Sequence, residues 1–155
     1  MKTMVAGVGN IFLGDDGFGC EVIARLRDRA LPAHVRVEDY GVRGTHLALD
    51  LLDGYETLIL VDTLAGDEAP GTVRLVELAT VDAAVAAGAA TDAHAMTPES
   101  VLRMVANMGG RLERVLVVGC QPASVAEGIG LSAPVHAAVD AAVRIVESLA
   151  DEPCA

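Results

Sequence analysis

The apolar positions change period along the chain, and each change marks an element. Met4-Val5-Ala6 is an unbroken apolar run and predicts a strand over residues 2–8. Beyond a glycine-rich turn, Val22, Ile23 and Leu26 share one face of a helix predicted from about Asp16 to Arg29, with Leu31-Pro32 ending it. Val35 to Asp39 alternates and reads as a second strand, less buried than its neighbours. Thr45 to Leu52 is a short helix closed by Asp53-Gly54, and Leu58-Ile59-Leu60-Val61 is the continuous run of a buried central strand, 57–61. A turn at Pro70-Gly71 precedes an alternating stretch, 72–77, that predicts an antiparallel edge strand. Val81 to Ala87 predicts a short helix. Thr97 as N-cap and Pro98 in the first position start another, which Gly109-Gly110 stop. Arg114 to Gly119 is a further buried strand, and about Pro134 to Leu149 the last helix. Strands alternating with helices predict an α/β three-layer sandwich. Its central twisted, mostly parallel sheet of about five strands has one antiparallel edge strand and helices on both faces.

Chemistry enters at the ends of the strands. The first turn, GVGNIFLGDDGFG from Gly7 to Gly19, places Asp15 and Asp16 at a helix start. Carboxylates there are favoured by the helix dipole and can cap free N–H groups, which is the reading adopted for Asp15. Asp16 has two: a cap, or a carboxylate aimed at the top of a parallel sheet, where active sites form. Asp62 directly follows the apolar run of the third strand, and His94 stands in the polar stretch TDAHAMTPES before a helix. Asp16, Asp62 and His94 together suit a divalent metal or proton transfer. His46, near the sheet top, is the next candidate; His34 and His136 read as surface positions.

Competing motifs fail. The third glycine of a dinucleotide fingerprint falls on Phe12, and two acids stand where a pyrophosphate would bind. There is no GxSxG elbow and no HExxH. An aspartic-protease pair of Asp16 and Asp62 leaves His94 unexplained.

Composition narrows the class. With 155 residues, one domain spanning 1–155 is expected, and 52% hydrophobic content supplies a single core. A net charge of −11 and the absence of Trp argue against nucleic acid and anionic membrane surfaces. The apolar runs are too short to span a bilayer, and the N-terminus lacks a signal-peptide core, so a cytoplasmic location is expected. Cys20, Cys120 and Cys154 form no CxxC pair. Cys20 and Cys120 read as buried small hydrophobes, and Cys154 as an exposed tail residue.

The pattern of Gly7, Gly9-Asn10, Asp15-Asp16 and Gly19, followed by Asp39, Gly41, Asp62 and His94, resembles the hydrogenase maturation proteases. These endopeptidases trim the C-terminal tail of the nickel–iron hydrogenase large subunit. The resemblance runs to about Val146. It departs at Asp16, where the family often has the longer Glu, and at Gly41-Val42-Arg43, where a Gly-Thr often follows the second strand. The resemblance implies a maturation endopeptidase with no permanently bound metal. Its partner is a hydrogenase large-subunit precursor already carrying nickel, which Asp16, Asp62 and His94 engage. The rival from another class is a non-catalytic metal- or metabolite-binding module on the same fold.

Overall fold

The computed structural model describes residues 1–78 and 97–152. The helix expected over 81–87, His94 and Cys154 lie outside the described residues. The strands are β1 (Lys2–Val8), β2 (Val35–Gly41), β3 (Tyr55–Thr63), β4 (Val73–Leu78) and β5 (Arg114–Cys120). They form one sheet in the order β2-β1-β3-β5-β4, parallel except for β4, which pairs antiparallel with β5 at the edge. The expected edge strand and the expected interior place of 57–61 are both observed.

The described helices are α1 (Phe18–Leu26), α2 (Gly44–Leu51), α3 (Pro98–Asn107) and α4 (Ala133–Ala150). Side chains alternate across the sheet with period two. Met4, Ala6, Leu58, Leu60, Val115 and Val117 point to the α2/α3 side. Val5, Ile59, Val61, Leu116 and Val118 point to the α1/α4 side. Both faces of β3 are therefore buried, which is why its sequence is apolar without alternation.

Helix α1 is shorter than the sequence predicts. Gly14–Gly17 forms a separate 3₁₀ turn, and α1 starts only at Phe18. At the other end Asp28 and Arg29 donate to carbonyls three residues back, so the chain tightens and leaves the helix. The α3 start is as expected. Thr97 Oγ1 accepts the Ser100 N–H at 3.2 Å, and Ser100 Oγ accepts the Thr97 N–H at 3.0 Å. Among the described residues no helix is long and apolar enough to cross a membrane.

Candidate functional site

From β1 the chain moves outward to β2, and from β3 it moves the other way, toward β5. The crevice outside the C-terminal ends of β1 and β3 is thus a topological switch point, the usual ligand position in open α/β sheets. Asp16 and Asp62 meet there.

Asp16 follows β1 in the 3₁₀ turn. Its Oδ2 accepts the Asn10 backbone N–H at 2.8 Å, and its Oδ1 accepts the Thr63 hydroxyl at 3.1 Å. Neither bond caps a helix, and no side chain caps the 3₁₀ turn or α1. Asp62 sits near the end of β3, with the Thr63 N–H donating to its Oδ1 at 2.7 Å and the Thr63 hydroxyl 3.5 Å away. One hydroxyl therefore stands between two half-buried carboxylates. Desolvation pushes Asp62 up to about 7; the Thr63 N–H works against it and the neighbouring Asp16 charge adds to it. A carboxyl group near 7 can hold or release a proton at neutral pH.

Asp15 corrects the capping assignment. Its side chain is 1% exposed and accepts four hydrogen bonds from a distant loop: Ala123 N–H, Ser124 N–H, Ser132 N–H and the Ser132 hydroxyl. The adjacent acids thus face different ways, Asp16 to the strand ends and Asp15 into loop 121–132.

Asp39 and Cys20 pair with each other beside the acids. The Cys20 thiol donates to Asp39 Oδ1 at 3.2 Å, and the same oxygen accepts the Gly41 N–H at 2.9 Å. Burial and the Asp39 contact push the thiol up to about 12, so Cys20 stays protonated and is no nucleophile. Next to this pair a cavity of about 400 Å³ is walled by Ile11, Phe12, Val42 and Arg43. Ile11, Phe12 and Val42 are all exposed.

The histidines separate. His34 and His136 are exposed, as expected, and His46 is exposed in the first turn of α2. His94 lies outside the described residues. Helices α2 and α3 run side by side in one direction, with Thr45 against Met104 and Leu52 against Gly110. Because α2 starts beside the end of β2, α3 also starts toward the C-terminal ends of the strands. Among the described residues no group of three His, Cys, Asp or Glu is arranged to hold a metal, so Asp16 and Asp62 form a pair and not a complete centre.

The profile described as hydrogenase maturation protease (HycI) matches residues 20–149. This chain belongs to the hydrogenase maturation protease family. The hydrogenase 2 maturation protease of Escherichia coli is 30% identical over 148 residues, covering 94% of this chain and 88% of that protein. Among solved structures, the E. coli hydrogenase maturating endopeptidase HybD matches with a TM-score of 0.78 at 28% identity, covering 96% of this chain and 91% of that one. A hydrogenase 2 maturation peptidase from a Thaumarchaeota archaeon matches with a TM-score of 0.75 at 35% identity, covering 98% and 100%. As a maturation protease the chain is a hydrolase of peptide bonds, and the reading as a non-catalytic binding module is not favoured.

Two side chains at and beside the candidate site, Thr63 and Asp15, have partners that the sequence does not assign. Thr63 had a visible signal, a hydroxyl residue beside Asp62 at the strand end. The role of Asp15 had none, since its partners lie more than a hundred residues away. Asn10 is a turn residue: its Oδ1 accepts the Phe12 N–H at 2.9 Å.

Proposed function

We propose that this protease removes the C-terminal extension of a nickel-loaded hydrogenase large-subunit precursor, and that Asp16, Asp62 and His94 engage the nickel. The supporting observation is the pair Asp16 and Asp62, bonded to one Thr63 hydroxyl at the switch point of the sheet. The resting protein holds no metal of its own; the ion arrives as part of the substrate. It is a single cytoplasmic domain whose partner is the precursor, with no role for nucleic acid or membrane.

The chemistry follows from the donors. Two hard carboxylates and one imidazole accept a divalent ion with little selectivity. Selection for nickel then rests on the geometry that the precursor presents. Engagement expels the proton that Asp62, near 7, carries part of the time at neutral pH. The nickel polarises the scissile carbonyl, a carboxylate orients the attacking water, and hydrolysis leaves a new carboxyl end on the large subunit and a free amine on the tail. Ile11, Phe12 and Val42 offer the flanking peptide an apolar wall.

Incubation with a nickel-loaded large-subunit precursor tests this reading. Asp16→Asn keeps the size and the oxygen that Asn10 N–H bonds, yet is a poorer ligand; trimming is expected to fall by about a hundredfold. His94→Ala is expected to lower both trimming and nickel affinity, whereas His34→Ala changes neither. Wild-type trimming by Asp16→Asn, or equal losses from the two histidine variants, refutes the assignment.

A further inference from the structure

Among the described residues Asp15 is the only charged side chain in the buried set. It has no cationic partner within ion-pair distance among the described ion pairs; its charge is met by hydrogen-bond donors alone. A buried carboxylate is an expensive way to pin a loop, because apolar packing pins loops without desolvating a charge. What a carboxylate offers is direction: two oxygens that take several donors at set angles.

The donors come from both ends of one loop. Ala123 and Ser124 supply backbone N–H groups at 2.8 and 3.1 Å to Oδ2. Ser132 supplies its N–H at 2.6 Å to Oδ1 and its hydroxyl at 2.9 Å to Oδ2. Main-chain bonds continue the seam: Asp15 N–H to Ser124 O, Gly14 N–H to Gly128 O and Gly128 N–H to Phe12 O. The 3₁₀ turn that carries Asp16 is built against this loop and has no side-chain cap.

Asp16 is the next residue, on the opposite side of the turn, and its side chain is short. Where Glu could use an extra torsion to reach a metal, Asp transmits any rotation of the backbone directly to its carboxylate. We infer that Asp15 is a positioning residue for the trimming reaction: its hydrogen bonds to loop 121–132 fix the 3₁₀ turn and thereby set where the Asp16 carboxylate falls. The inference rests on the assignment of Asp16 to the site. A group held to within a fraction of an ångström gains its rate from that placement.

A double-mutant cycle tests it, using single-turnover trimming of a nickel-loaded large-subunit precursor. Asp15→Asn preserves shape but turns an amide NH₂ toward N–H and O–H donors. Its maximal rate is expected to fall by about ten- to a hundredfold, with half-saturation by precursor changed less than about threefold. The decisive result is in the double variant. Asp15→Asn combined with Asp16→Asn is expected to trim no more slowly than Asp16→Asn alone, because a misplaced ligand cannot be missed twice. A purely structural Asp15 gives losses that multiply, or a raised half-saturation at unchanged maximal rate; either overturns the inference. Should Asp15→Asn not fold, Ser132→Ala carries the same cycle. It withdraws one donor, removes no helix cap and is expected to cost about threefold, only when Asp16 is present. Wild-type trimming by Asp16→Asn means that the site assignment has failed. A slow Asp16→Asn beside a fast Asp15→Asn means that only the positioning role has failed.

Discussion

At Asp62 burial and the neighbouring Asp16 raise the carboxyl to about 7 against the opposing Thr63 N–H. In the unfolded chain the same group titrates near 3.8. The folded protein therefore binds an extra proton between about pH 4 and 7, and its stability falls as pH rises through that window. Asp15 behaves oppositely. Burial raises it, but the hydrogen bonds from Ser132, Ser124 and Ala123 outweigh burial, so it lies below its ordinary value. The stability it contributes is present above about pH 4 and lost as acid titrates it. In metal-free protein Asp62→Asn is expected to stabilise by about 1–2 kcal/mol at pH 8 and by nothing at pH 4. Thermal melts of both proteins across that range check this. Coincident curves at pH 8 show that Asp62 carries no buried-charge penalty.

The strand–turn–helix unit of β1 and α1 depends on contact too close for side chains. A Cβ on Gly19 would overlap the carbonyl oxygens of Val61 and Val8, and one on Gly7 would overlap Ile23. These glycines let α1 lie directly on β1 and β3, which brings the turn bearing Asp16 over the strand ends. Backbone cannot yield as a flexible side chain can. Gly19→Ala is therefore expected to cost about 3 kcal/mol. Gly17→Ala, whose Cβ would meet Ile11 at an ordinary 3.4 Å, is expected to cost under about 1 kcal/mol. Urea unfolding measures both, and equal costs would contradict the close-contact account. At the far edge, β4 is buried less than the central strands: Val76 and Leu78 pack on one side of the sheet and Val73 on the other, while Leu75 remains exposed.

Over the whole molecule acids outnumber Lys and Arg by 22 to 11. The ion pairs Arg25–Asp140, between α1 and α4, Arg29–Glu147, between the turn after α1 and α4, and Arg114–Glu152, between β5 and the turn after α4, are partly to well exposed, and each contributes little. The surplus acids repel one another in the folded state. Moderate salt screens this repulsion, so raising sodium chloride from 10 to 200 mM is expected to raise the melting temperature by about 2–4 °C, equivalent to about 1 kcal/mol. A fall with salt would mean that attractive pairs dominate the surface.

The sequence alone determined the layers and the ends of the strands. Burial on both faces of β3 demands an unbroken apolar run, and the acids in the turn after β1 and near the end of β3 stand out beside such apolar runs. Those are local signals. Which of two adjacent aspartates faces the strand ends was not local. Asp15 and Asp16 have the same side chain and neighbouring places in a turn, and the choice between them was made by N–H groups of Ala123, Ser124 and Ser132. The Cys20–Asp39 pair and the Thr63 hydroxyl between two carboxylates belong to the same class. Each depends on chain segments that only the folded sheet brings within 3.5 Å, where a hydrogen bond begins to count.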